Sequence, residues 1–142
     1  MASIDLTSHT VPPSGVAMLL VTHEGLASAL AALVGHVFGE AAMSRVGVVE
    51  LHAGKSPESA LAEAIHWSNI CGAASILAIS DLHGSTPWRV VNDLATRLRP
   101  LEVQTISGAN AAMVLSVVER WDSLGLNQLA QRARAEGRRG IA

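Results

Sequence analysis

The sequence has little cysteine, little net charge and no long apolar run. Its one cysteine, Cys71, cannot form a disulfide within the chain and is too few for a cysteine-based zinc cluster. Ten basic and twelve acidic side chains leave a net charge of −2, which argues against a nucleic-acid-binding protein that relies on bulk positive charge. No apolar run reaches the about 18 to 20 residues that a membrane-spanning helix needs.

The amino-terminal segment lacks the features of a secretory signal peptide. Residues 1–15 (MASIDLTSHTVPPSG) have no basic start, and no apolar stretch with a small-residue cleavage site follows them. Pro12, Pro13 and Gly15 predict a loose lead-in segment instead. A single cysteine is compatible with a reducing compartment. We therefore expect a cytoplasmic protein that does not insert into a membrane.

Short apolar runs alternate with segments whose apolar residues recur at helical spacing. The chain has 142 residues, of which 49% are hydrophobic, and a mean hydropathy of +0.34, so it can form one domain with a buried core. Runs typical of buried strands cover residues 16–22, 46–51, 74–79 and, more weakly, 103–107. Because these runs are continuously apolar, they favour a parallel sheet that is covered on both faces.

A predicted helix follows each predicted strand. The apolar positions expected on the buried face of the first helix are Leu26, Leu30, Leu33, Val34 and Val37. A hydroxyl residue before proline marks two further helix starts, with Ser56 and Thr86 as the expected N-caps. A polar helix over residues 126–136 lies within the closing segment 121–142.

This alternation predicts a single α/β domain over residues 1–142. Right-handed crossovers would build a mainly parallel four-stranded sheet of order 2-1-3-4, in a three-layer open sandwich that resembles the flavodoxin-like class. Residues 140–142 could add a short antiparallel edge strand. In such sheets the functional crevice lies beyond the carboxyl ends of the strands, where the strand order reverses.

Two side chains with strong chemistry follow the two strands at that reversal. His23 comes after the first strand and Asp81 comes after the third. Strand order 2-1-3-4 makes those strands neighbours, so we expect the two side chains to approach each other. A carboxylate that accepts a proton from one imidazole nitrogen fixes the tautomer and leaves a lone pair on the other nitrogen, which can act as a nucleophile or base.

The loop after Asp81 ends at a predicted helix amino terminus. Backbone N–H groups without intrahelical partners and the helix dipole make such a terminus a binding site for anions, phosphate above all. Gly84 would let the backbone come close to an anion, and Ser85 and Thr86 would add hydroxyl donors. An oriented histidine beside an anion site is what phosphoryl transfer through phosphohistidine requires. His83 could be a second donor or an exposed loop residue.

No metal or cofactor is predicted. His9, His36, His52 and His66 show no metal-ligand spacing with one another or with Cys71. Gly84 stands without a Gly-rich nucleotide-binding pattern.

Four segments resemble one known family, the mannose-family IIA proteins of the bacterial phosphotransferase system. Residues 21–27 (VTHEGLA) resemble its VTHGGLA-type motif, and residues 80–88 (SDLHGSTPW) resemble its TDLFGGSPF-type loop. Residues 106–110 (ISGAN) resemble its SGVN segment, and residues 54–58 (GKSPE) resemble its GDSPE-type helix entry. The resemblance covers about residues 16–120, with the motifs in the same order.

The resemblance implies a phosphoryl carrier. Members of this family accept a phosphoryl group from HPr on the histidine that aligns with His23 and pass it to a IIB partner for sugar uptake. Their aspartate, which aligns with Asp81, hydrogen-bonds that histidine, and their loop serine aligns with Thr86. The family also forms homodimers, so the resemblance implies a phosphotransferase component that is a homodimer.

The sequence departs from the family pattern at five positions of these motifs. The positions are Glu24 and Ser85 in place of glycine, His83 in place of an aromatic residue, Thr86 in place of serine, and Arg89 in place of asparagine. Threonine keeps the hydroxyl group, whereas Glu24 and Arg89 change the charge on which a partner would dock. An alternative is a stand-alone regulatory protein of the same fold, whose phosphorylation state signals by docking without onward transfer to sugar. A second alternative is the related carrier that serves dihydroxyacetone kinase.

Overall fold

The computed structural model describes residues 15–142, in which four strands alternate with helices. The strands are β1 (Val16–His23), β2 (Val46–Leu51), β3 (Ser75–Ser80) and β4 (Glu102–Ile106). The helices of the described residues are α1 (Leu26–Phe38), α2 (Glu40–Met43), α3 (Pro57–Ile70), α4 (Thr86–Arg97), α5 (Ala111–Arg120) and α6 (Leu126–Arg139). No helix within this part of the chain is long and apolar enough to cross a membrane.

All four strands are parallel and lie in the order β2-β1-β3-β4. The predicted strand order and the three-layer α/β sandwich are therefore confirmed. Strands β1 and β3 occupy the centre, with Val21 opposite Ser80 and His23 opposite Leu51. The carboxyl ends of β1 and β3 consequently lie side by side at the point where the chain direction across the sheet reverses.

Alternate residues of the central strands enter opposite cores, as the two-residue period of a strand requires. Met18 and Leu20 of β1 pack with α1, α5 and α6 on one face of the sheet. Leu19 and Val21 of the same strand pack with α3 and α4 on the other face. All four side chains are fully buried, which explains why β1 reads as a continuous apolar run.

The buried face of α1 agrees with the predicted one at Leu30 and Val34 and differs elsewhere. Its buried residues are Ala27, Leu30, Ala31 and Val34, whereas Leu26, Val37 and Phe38 are exposed. Small alanines face the sheet because they allow the helix to pack closely against it, and several larger apolar residues consequently remain on the outside.

The carboxyl-terminal prediction is wrong in two respects. The last helix extends to Arg139 rather than to residue 136, and residues 140–142 form no edge strand within the chain. Gly140 N–H donates to the Glu136 carbonyl, and Ile141 N–H donates to the Arg138 carbonyl. These turn-like hydrogen bonds continue the helical path, so residues 140–142 do not pair with β4. The predicted lead-in, apart from residue 15, lies outside the described residues.

A test of the packing on β2 is the substitution Gly47→Ala. An added Cβ would lie 2.6 Å from the Trp67 ring and 2.8 Å from Leu19 Cδ1, which is too close for an undisturbed core. We expect a loss of about 1–3 kcal/mol in the free energy of unfolding, measured by urea denaturation. The control Gly54→Ala, whose Cβ would come no nearer than 3.7 Å to His52, should change it by about 0.5 kcal/mol or less. Equal losses in both variants would contradict this account.

Candidate active site at the carboxyl ends of β1 and β3

His23 and Asp81 meet at the carboxyl edge of the sheet. His23 is the last residue of β1, and Asp81 directly follows β3. The His23 Nδ1 atom lies 2.7 Å from Asp81 Oδ2. The His23 side chain is 52% exposed, whereas the Asp81 side chain is only 9% exposed. The approach of these two groups, expected from strand order, is what the structure shows.

Three donors hold the Asp81 carboxylate in place. Its Oδ2 atom accepts both the His23 ring proton and the His23 backbone N–H, the latter at 2.9 Å. Its Oδ1 atom accepts the Leu82 backbone N–H at 3.0 Å. Because an ionised carboxylate can only accept, a neutral His23 ring carries its proton on Nδ1 and has its lone pair on Nε2. The exposed ring therefore presents its Nε2 lone pair to solvent, where it can act as a nucleophile or base.

The electrostatics of Asp81 agree with this arrangement. Burial by itself raises the pKa of the carboxyl group, but the hydrogen bonds from the His23 backbone and ring outweigh it. The net result is a pKa of Asp81 below its ordinary value. The carboxylate therefore stays ionised and can keep accepting the Nδ1 proton.

This pKa shift predicts a loss of stability in acid. The pKa of Asp81 is lower in the folded than in the unfolded chain. The ionised carboxylate therefore stabilises the fold fully when the pH is above the pKa of the unfolded chain. This contribution disappears as the pH falls through the pKa of the folded chain. Near neutral pH we expect Asp81→Asn to lower the free energy of unfolding by about 1–2 kcal/mol. In urea titrations the difference from wild type should shrink as the pH is lowered to about 3. A difference that does not depend on pH would contradict this assignment.

The loop after Asp81 leads into α4 as expected, but the N-cap is Ser85 and not Thr86. Ser85 has extended backbone angles, and its carbonyl accepts the Arg89 N–H at 3.1 Å, which is the first bond of the helix. Thr86 is already the first helical residue, because the fixed φ of Pro87 suits the first turn of the helix. Gly84 has a φ of +81°, a conformation that favours glycine.

The first turn of α4 is open. Within residues 15–142 no acceptor approaches the backbone N–H of Thr86 or Trp88, and Pro87 has no N–H. The Ser85 hydroxyl donates to the Leu82 carbonyl at 2.6 Å, which shapes the loop and leaves the hydroxyl oxygen able to accept. The helix end that follows Asp81 therefore retains free donors and the positive end of its dipole.

The neighbouring helix end, that of α1, is occupied by the protein's own acceptors. Glu50 Oε2 accepts the Ser28 N–H at 2.7 Å, and Thr22 Oγ1 accepts the Ala27 N–H at 2.9 Å. Burial raises the pKa of Glu50, but the hydrogen bonds from Ser28 and Gly25 and the charge of Lys55 bring it below the usual value. Sequence reasoning did not single out Glu50, although a carboxylate at the end of an apolar strand is a signal that could have identified it.

The segment after β4 braces the backbone of the site. Gly108 N–H donates to the Asp81 carbonyl and Ala109 N–H donates to the Ser80 carbonyl, both at 3.1 Å. Asn110 then caps α5, because its Oδ1 accepts the Met113 N–H at 2.9 Å. This segment, matched above only by resemblance, thus fixes the direction of the chain at Asp81.

His83 packs against Trp88. Their ring centroids are 4.7 Å apart and the rings are tilted by 54°, while the His83 side chain stays exposed. His83 lies in the loop and Trp88 in the first turn of α4, so this contact joins the loop to the helix. Across residues 15–142 no group of three or more His, Cys, Asp or Glu side chains is placed to hold a metal ion.

One family profile matches most of the chain. The family profile described as "PTS system fructose IIA component", named EIIA-man, matches residues 17–134. No curated protein matches the chain.

Several solved structures share the fold. Phosphotransferase system component EIIA from Streptococcus agalactiae is 19% identical, with a TM-score of 0.78 over 89% of this chain and 95% of that one. The mannose/sorbose specific IIA subunit from Enterococcus faecalis is 21% identical, with a TM-score of 0.76 over 90% and 93% of the two chains. A sigma-54 interaction domain protein from Enterococcus faecalis is 12% identical, with a TM-score of 0.75 over 92% and 96%.

Proposed function

Because the chain belongs to the EIIA-man family of phosphotransferase-system IIA components, we propose that His23 accepts a phosphoryl group from phospho-HPr and passes it to a IIB protein. Membership of the family implies a part in phosphotransferase-linked sugar transport. The observation that carries the finer proposal is the 2.7 Å contact between His23 Nδ1 and Asp81 Oδ2, which leaves an oriented lone pair on an exposed ring.

In the proposed reaction, the His23 Nε2 lone pair attacks the phosphorus atom of the donor. A bond from Nε2 to phosphorus forms while the bond from phosphorus to HPr breaks, and the electron pair of that bond returns to HPr. The Nδ1 proton remains in its hydrogen bond to Asp81, which stabilises the positive charge that develops on the ring. Transfer to IIB reverses these steps at the same nitrogen.

The first turn of α4 supplies the electrostatic support for the phosphoryl oxygens. The free N–H groups of Thr86 and Trp88, the Thr86 hydroxyl and the positive end of the helix dipole suit an anion. Gly84 adds no side chain to the loop, and Ser85 holds the loop shape through Leu82. Glu50 occupies the α1 amino terminus, so the open one of these two helix ends is that of α4.

Phosphorylation with purified components tests the proposal. The chain is incubated with radiolabelled phosphoenolpyruvate, enzyme I and HPr, and omission of HPr is the control. We expect phosphate that is labile in acid and stable in alkali, the behaviour of a phosphohistidine, and we expect its loss when IIB is added. A chain that takes up no label from phospho-HPr would refute the carrier assignment.

A regulatory docking role is the second candidate, and two exposed charges favour it. Glu24 lies next to His23, and Arg89 lies in the first turn of α4 beside the loop. Both charges would face a protein that docks on the histidine. Pull-down experiments with the phosphorylated and unphosphorylated chain would separate the candidates, since identical partners in both states would remove phosphorylation as a switch.

We further propose a homodimer in the cytoplasm. The outer edge of β4 pairs with no other strand within residues 15–142, and Val103, Gln104 and Thr105 along it are half-buried. An open sheet edge is a template for pairing with another chain. We expect light scattering after size exclusion to give twice the 14.8 kDa chain mass. A monomer mass at all protein concentrations would contradict the dimer.

A further inference from the structure

A cleft with no assigned role lies beside the candidate active site, at the carboxyl end of β4. Its volume is about 380 Å³. The residues that line it include Trp88, Ser107, Asn110, Arg134, Arg138 and Ile141. Neither His23 nor Asp81 lines it. The cleft adjoins the site through Gly108, which also lines it and whose N–H bonds the Asp81 carbonyl.

Two guanidinium groups of α6 give the cleft its charge. Arg134 and Arg138 are four residues apart and therefore lie on one face of the helix, where like charges repel. Neither has a carboxylate within ion-pair distance in residues 15–142, and no acidic side chain lines the cleft.

The other two arginines of α6 are paired. Arg132 reaches Glu119 and Arg139 reaches Glu136, each at 3.1 Å. Within residues 15–142, the arginines of α6 that lie outside the cleft therefore form ion pairs. The two arginines that line the cleft do not.

We propose that this cleft binds a small phosphomonoester, with its phosphate group between Arg134 and Arg138. A phosphate monoester carries close to two negative charges near neutral pH and has three acceptor oxygens, so one group can neutralise both guanidinium groups. A single carboxylate would neutralise only one.

The rest of the cleft suits the organic part of such a ligand. Its volume falls within the about 300–1,000 Å³ of small-molecule sites and far exceeds the size of a phosphate ion. Trp88 and Ile141 offer apolar surface, and Ser107 offers a hydroxyl group. The Asn110 side chain already bonds the Met113 N–H and the Gly137 carbonyl, so it contributes mainly to the shape of the cleft. The ligand would lie next to the segment that braces Asp81, so the site is separate from His23 but close to it.

Binding of glucose 6-phosphate, measured by calorimetry and by tryptophan fluorescence, tests the proposal, with glucose as the uncharged control and inorganic phosphate as the bare anion. We expect saturable binding of glucose 6-phosphate, weaker binding of inorganic phosphate and none of glucose. Arg138→Gln should weaken the affinity by at least about tenfold. Arg139→Gln, the same change of charge at the next residue, should leave it within about twofold because Arg139 pairs with Glu136.

The outcomes also separate this site from the proposed function. His23→Ala should bind glucose 6-phosphate as wild type does, and loss of binding in that variant would place the anion at His23 and overturn the inference. Equal losses in Arg138→Gln and Arg139→Gln would reduce the effect to overall charge and would overturn it too. If a second copy of the chain covers the cleft, the wild-type dimer will bind no probe, which again overturns the proposal.

Discussion

Replacement of His23 with alanine is expected to abolish uptake of acid-labile phosphate from phospho-HPr. His23 Nε2 presents an oriented lone pair at this edge of the sheet, because Nδ1 is held by Asp81 at 2.7 Å. Removal of the ring removes the bond-forming atom, so the effect is a loss of reaction and not a reduced rate. The measurement is label incorporation from radiolabelled phosphoenolpyruvate, with enzyme I and HPr in catalytic amounts.

Two exposed histidines serve as matched controls. His36 on α1 and His66 on α3 lie outside the site, and alanine at either position should leave phosphorylation unchanged. Circular dichroism and urea unfolding would establish that His23→Ala keeps the fold, which we expect because the His23 side chain is 52% exposed. Wild-type labelling of a folded His23→Ala protein would refute the role of this residue.

Asp81→Asn is expected to slow phosphorylation by about 10²-fold or more while leaving a folded protein. The carboxylate serves three donors with two acceptor oxygens, and an amide has only one oxygen. If the amide nitrogen faces His23, its N–H groups point at the His23 backbone N–H, so that two donors face each other. The amide also favours the ring tautomer whose proton is on Nε2, and in that tautomer Nε2 has no lone pair for the attack. If it faces Leu82, that N–H loses its acceptor and the loop into α4 is disturbed.

Kinetics distinguish a positioning role from a structural one. A change in tautomer lowers the maximal rate of phosphoryl acceptance and leaves the HPr concentration for half-maximal rate nearly unchanged. Asp93→Asn, an exposed aspartate on α4, is the matched control and should retain the wild-type rate. An unchanged maximal rate in Asp81→Asn would show that the observed hydrogen bond does not orient His23 for transfer.

The sheet could be predicted because each of its central strands is a short, continuous run of apolar residues. Continuous apolar runs such as that of β1 occur where both faces of a strand are buried, and Met18 and Leu19 indeed enter opposite cores. Parallel strands with right-handed crossovers leave few possible orders, and the order β2-β1-β3-β4 places His23 beside Asp81. The pairing of these two residues thus follows from local pattern and general topology.

The sequence pattern did not predict three features that depend on how helices and strands pack against each other. Glu50 fills the α1 amino terminus only because β2 ends beside α1, a relation that no local spacing encodes. The N-cap of α4 is Ser85 and not the predicted Thr86. Both residues carry a hydroxyl group, so only the path of the loop decides which of them caps the helix. On α1 the alanines face the sheet while Leu26 and Val37 are exposed. Hydrophobicity alone predicts the opposite, because leucine and valine are more hydrophobic than alanine.

By itself, the sequence determined which segments form strands and helices, that the sheet is parallel, and which two residues end its central strands. Those properties depend on local periodicity and on steric rules common to all chains. The tertiary structure alone decided which helix end remains open to an anion and which arginines of α6 form no ion pair within residues 15–142. Those properties depend on distances between segments far apart in the chain, and a hydrogen bond or ion pair forms only when such segments come within about 3 Å.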